Sequence, residues 1–117
     1  MSLLLYAIEK YSSAIRILAT NPHDVRSRLR SASFDILSIG PDMVPDDEGV
    51  RDDIHWLYHQ MTRLEPKYDG HDRVSATLSR IRKLTAARIA ERVVIVHAKL
   101  ESIYRAHHDC LTCPLDK

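Results

Sequence analysis

Apolar residues recur along this chain at alternating steps of four and three, the period of a helix with one buried face. In the first such run Leu4, Ile8, Tyr11, Ile15 and Leu18 fall on one line, while Glu9, Lys10, Ser12, Ser13 and Arg16 fall mainly off it. The spacing predicts a first helix from Ser2, whose hydroxyl would cap it, to about Thr20. Asn21-Pro22-His23-Asp24 reads as a stop and a new start, with Asn21 as N-cap, Pro22 at the first helical position and Asp24 in the first turn. Val25, Leu29, Ala32, Ile36 and Ile39 stripe the second helix, which Gly40-Pro41 ends. A loop to about Pro45 leads to Asp46, Asp47 and Glu48, acids expected at the start of a third helix. Its stripe is Val50, Ile54, Leu57, Met61 and Leu64, and Glu65-Pro66 closes it. Residues 67–72 form the next loop, with Asp72 or Ser75 capping the last helix.

From Val74 to His108 there is neither proline nor glycine, and Val74, Leu78, Ile81, Thr85, Ile89, Val93, Val96, Leu100 and Ile103 keep the helical period. One rod of about 50 Å is predicted, nearly twice the reach of the segments before it. Its stripe steps by four three times between Ile81 and Val93, which relaxes a left-handed supercoil. Val93-Val94-Ile95-Val96 is apolar all round and should be covered from several sides; a strand there would have no partner for its backbone. The fold class is therefore all-α: a four-helix bundle-like domain over residues 1–108, with three helices of about 17–19 residues, a longer C-terminal helix and a flexible tail at 109–117. The expected core holds Leu4, Ile8, Ile15, Leu18, Leu29, Ile36, Ile54, Leu57, Met61, Leu78, Ile81, Ile89 and Val93. Val96, Leu100 and Ile103 overhang the three shorter helices on this reading, and a second copy or another protein is expected to cover them.

Composition changes this picture little. The 117 residues suit one domain, and 17 lysines and arginines against 16 acids leave no global field to draw a polyanion or a membrane surface. Two cysteines, Cys110 and Cys113, cannot staple the fold, so a reducing cytoplasmic setting is expected. The apolar opening lacks a basic flank and is interrupted by Glu9 and Lys10, which argues against an export signal or membrane span. No Gly-rich phosphate loop, nucleophile elbow or carboxylate pair is present, and no cofactor is expected.

Four groups of residues carry candidate chemistry. On the third helix Asp52, His55, Trp56, His59 and Arg63 lie off the core line, so the single tryptophan reads as an anchor for a protein partner. His55 and His59, at i and i+4, have metal-ligand spacing, but no matching pair stands on another helix and a solvated face is the simpler reading. Near the end, His107, Cys110 and Cys113 could chelate zinc with His71, His23 or a residue of a second copy. That set lacks the second pair that makes zinc motifs specific, so no metal is expected. Arg80, Arg82, Lys83 and Arg88, with Arg73, Arg92 and the Arg26, Arg28, Arg30 series, could contact phosphates. They are spread around their helix, and the acids of 42–53 are available to neutralise them, so nucleic acid ranks behind a protein partner.

The fourth group is Arg92-Val93-Val94-Ile95-Val96-His97. An arginine and a histidine so spaced, late in a small helical chain, resemble the ribonuclease motif of the HEPN family. The resemblance implies that Arg92 and His97 of two copies would meet to cleave RNA; the position after the arginine, polar in that motif, is Val93 here. The expectation from the sequence is a non-enzymatic cytosolic interaction module, an adaptor or regulator of another protein, that self-associates. The alternative is an RNA-directed protein, either a HEPN-like nuclease or a nucleic acid binder.

Overall fold

A computed structural model describes residues 3–68 and 70–112, the last five by backbone alone. Within them the chain is all helical: α1 Leu3–Thr20, α2 Val25–Leu37, a 3-10 turn Pro41–Met43, α3 Val50–Thr62, α4 Arg73–Leu78 and α5 Lys83–Thr112. Among the described residues no helix is long and apolar enough to cross a membrane.

α5 is the post against which α1, α2 and α3 pack, and α4 lies on α2 and α3. Side-chain pairs fix the directions. Lys10 reaches Asp35 at 3.8 Å while Arg28 reaches the Leu18 carbonyl at 3.0 Å, so α2 runs back along α1. The early α1 residues Leu5 and Ile8 share a cleft with Glu101, Tyr104 and Arg105, so α1 also runs antiparallel to α5. The core side of α5 is Ala86, Ile89, Val93, Val96, Leu100 and Ile103. Each large member of that stripe stabilises the fold by roughly 1.5–3 kcal/mol through burial.

Three expectations change. The single rod from Val74 to His108 is broken at Ser79–Arg82, a stretch without proline or glycine. Side chains capture the carbonyls that would continue the ladder: Arg80 Nε and Ser79 Oγ both donate to Ala76 O, and Arg26 of α2 donates to Ile81 O. Leu78 and Ile81 both point into the core as a result. The break removes the overhang. Val96 and Leu100 are fully buried and Ile103 nearly so, covered inside one chain by α1, and they present no partner-binding flank. Past the predicted end at His108, α5 continues to Thr112, so residues 109–112 are helix; residues 113–117 lie outside the described residues.

Second, α1 buries Ala7, Tyr11 and Ala14, while Leu4, Ile8, Ile15 and Leu18 are half-buried along its flanks. Ala7 and Ala14, small residues on either side of the large Tyr11, let α2 and α5 approach α1 closely. Third, Val94 and Ile95 are 50% and 37% exposed, so the β-branched run is covered on one side alone, by the contacts of Val93 and Val96.

The helix starts also shift. Asp24, not Asn21, caps α2, accepting from the Ser27 amide at 3.1 Å, while Asn21 Oδ1 accepts from the His23 amide and shapes the turn. Asp72 caps α4 in the same way, accepting from Ser75. The Ser27 amide holds the Asp24 carboxyl below its usual range, with Arg26 adding to it, and the Ser75 amide does the same for Asp72. Asp46, Asp47 and Glu48 precede α3 rather than begin it. Glu48 and Gly49 both take left-handed backbone, φ 53° and 72°, and turn the chain into Val50. Glycine suits the second of these; a Cβ there would strain the backbone.

Candidate functional site

The third helix carries an acid on each side of the expected boundary between faces. Asp52 is exposed, as its position off the stripe predicts. Asp53, one residue on, is 6% exposed and is one of two buried polar side chains among the described residues, Thr77 being the other. Its two oxygens accept from Arg92 Nη1 and Lys99 Nζ of α5, each at 2.6 Å. The Arg92 guanidinium also lies over the Trp56 ring, 5.0 Å from its centroid. Asp53, Arg92, Lys99 and Trp56 thus clamp α3 to α5, and the tryptophan is half-buried under an arginine rather than offered as an anchor.

Tyr11 of α1 enters the same interior. It is fully buried, and its hydroxyl has no hydrogen-bond partner among the described residues. Burial, and secondarily the negative Asp53, push its ionisation above the usual phenol range, so it stays neutral. A buried hydroxyl left unpaired opposes folding. Tyr11→Phe is therefore expected to stabilise the chain by about 1 kcal/mol in urea unfolding. A loss of stability would show instead that the hydroxyl makes a hydrogen bond in solution.

The remaining candidates separate. His55 and His59 are exposed on the outer side of α3 together with Tyr58, and Arg63 just past its end, so with Asp52 four of the five expected partner-binding residues there line an open face. Among the described residues no three His, Cys, Asp or Glu side chains group closely enough to hold a metal ion. His107 is exposed; the Cys110 side chain and Cys113 lie outside the described residues. Arg92 and His97 diverge. Five residues apart on one helix they project about 140° from each other, Arg92 towards Asp53 and His97 towards Glu101, whose Oε1 is 3.7 Å from its Nδ1.

Two surface features complete the picture, one that the sequence pattern does not announce and one built from the basic residues already named. Phe34, the single phenylalanine, is 77% exposed on α2. With Arg30, Leu37, Asp72 and Val74 it lines a cleft of about 490 Å³ between α2 and α4, and Lys10 stacks over its ring at 5.7 Å. Its position off the α2 stripe was the available signal. The second feature is the end of the bundle where α2 starts and α4 meets α5. Arg26 and Arg30 line a cleft of about 210 Å³ with Ser27, Leu78 and Ser79. Several arginines there close helix ends: Arg28 donates to Leu18 O, Arg73 to Thr62 O at 2.8 Å, and Arg80 to Glu65 O. Arg30, Arg82 and Lys83 carry neither a hydrogen bond from the side chain nor an ion pair among the described residues, although Asp72 and Asp24 lie within electrostatic range of Arg30 and Lys83. No known protein family, curated protein or solved structure matches this chain.

Proposed function

We propose that this chain is a non-enzymatic cytosolic interaction module, an adaptor or regulator that works by holding another protein. The observation that carries the reading is Phe34. A large aromatic ring left 77% exposed on a helix, beside the apolar Leu37 and Val74 and rimmed by Arg30 and Asp72, has the make-up of an interface anchor with a polar surround. The outer side of α3, with His55, Tyr58 and His59 exposed, offers a second polar and aromatic face for the same partner or another. Supporting the reading from the interior, Asp53, Arg92 and Lys99 are engaged with one another, which uses the strongest charges of the core in packing rather than in chemistry.

The test is site-specific photocrosslinking in the native host. A benzoyl-phenylalanine in place of Phe34 is expected to give one discrete adduct, and the same group at Arg16, exposed on α1, none. Mass spectrometry of the adduct then separates a second copy of this chain, which the self-association reading requires, from a foreign protein. Equal labelling at both positions, or none at Phe34, overturns the reading.

A further inference from the structure

The near-zero net charge of the chain conceals a strong separation of charge. Residues 21–30 and 63–88 hold ten lysines and arginines against four acids, whereas the rest of the chain holds seven against twelve. The fold gathers these two segments at one end. Arg26 of α2 donates to Ile81 of the α4–α5 turn, Arg73 of α4 to the end of α3, and Leu64 after α3 to Thr77 of α4. At the break, Ser79–Arg82, Arg80 turns back to the Ala76 and Glu65 carbonyls, and Arg82 and Lys83 stand exposed between α4 and the start of α5. α5 then begins on Lys83 with no acid in its first turn.

An aromatic platform stands in the same region. Tyr68 is 67% exposed and stacks on His71, with ring centroids 4.6 Å apart and planes 9° from parallel. The stack lies in the loop between α3 and α4 and lines a cleft with Pro66, Lys67 and Gly70. Asp72 connects it to the arginine surface, lying within electrostatic range of both His71 and Arg30. The sequence of neighbours from Lys83 and Asp24 through Arg26 and Arg30 to His71 and Tyr68 is therefore continuous.

We infer that this end of the bundle binds single-stranded nucleic acid, with phosphates on Arg30, Arg82 and Lys83 and an unstacked base on Tyr68. Guanidinium and ammonium groups without a hydrogen-bonded partner suit phosphate oxygens, and a stack already built on one face of Tyr68 leaves its other face for a base. A duplex offers the phosphates but keeps its bases stacked internally, so it forgoes the tyrosine. A membrane surface would use the charges without needing a flat ring held parallel to an imidazole.

Fluorescence anisotropy on the full chain tests this with labelled 20-nucleotide oligo-U and oligo-dT, a duplex of equal length, and phosphatidylserine vesicles as competitor. Oligo-U or oligo-dT is expected to bind at low salt more tightly than the duplex, and their comparison separates RNA from DNA. The double variant Arg82→Ala, Lys83→Ala should weaken binding at least tenfold and reduce the dependence of log affinity on log salt by about two. Tyr68→Ala should weaken single-strand binding roughly fivefold or more without changing that salt dependence, and Tyr68→Phe should restore it. Circular dichroism checks that each variant is folded. Val94→Ser, on the exposed side of α5, should leave oligonucleotide binding unchanged. Phe34 shares a cleft with Arg30, so the protein-anchor reading is judged by its crosslink and this inference by Tyr68 and Lys83, and the two can fail separately. Absence of binding at low salt, indifference to Tyr68→Ala, preference for the duplex, or displacement by vesicles overturns the inference.

Discussion

Leu100→Ala is expected to lower the unfolding free energy by about 3 kcal/mol, by the same amount at every protein concentration. The side chain is fully buried among residues of its own chain, with α1 covering this part of α5. Truncation removes apolar surface that had left water and opens a cavity that helices packed on several sides fill poorly. If a second subunit supplied the cover, stability would rise with concentration and the loss would grow with it. Urea unfolding of both proteins at two concentrations a hundredfold apart decides the matter: a Leu100→Ala loss that grows with concentration would restore the overhang that the break at Ser79–Arg82 removes.

Asp53→Ala should cost about 2–4 kcal/mol. The carboxylate is nearly buried and accepts from two cations, so its loss leaves both without a counter-charge. The cost falls short of that of a fully buried pair because the Arg92 and Lys99 side chains remain 37% and 29% exposed and regain some water. Arg92→Met or Lys99→Met should each cost less, since Asp53 then keeps one partner. Trp56 supplies an independent readout. It is the sole tryptophan, with Arg92 over its ring, so its emission should shift on Asp53→Ala before the protein unfolds. A cost under about 1 kcal/mol with unchanged emission would reduce the clamp to a surface ion pair.

Helix type was legible throughout, because the four-three spacing of Leu29, Ala32, Ile36 and of Ile54, Leu57, Met61 requires one buried face and no strand pattern competes. The break between α4 and α5 was not legible. Its cause is a set of hydrogen bonds from Arg80, Ser79 and the distant Arg26, which no local pattern announces. The site was read one residue off. Asp52 faces outward, whereas Asp53 falls on the line through Val50 and Leu57, and an acid on an apolar line must find counter-charges inside. Trp56 drew attention as a rare residue off its stripe; Phe34 met the same description and is the one that faces solvent.

The arginine closures have a consequence for how the chain folds. The last turn of α1 is completed by Arg28 of α2, the end of α3 by Arg73 of α4, the α4–α5 turn by Arg26 of α2, and the loop carbonyl of Val44 by Arg51 of α3. Each of these carbonyls depends on a segment translated later or earlier: excising α2 strands one in α1 and one in the α4–α5 turn, and excising α4 strands one at the end of α3. Fragments should consequently be poor mimics of the intact protein, and loss of structure should proceed as a single concerted event rather than by peeling from either terminus.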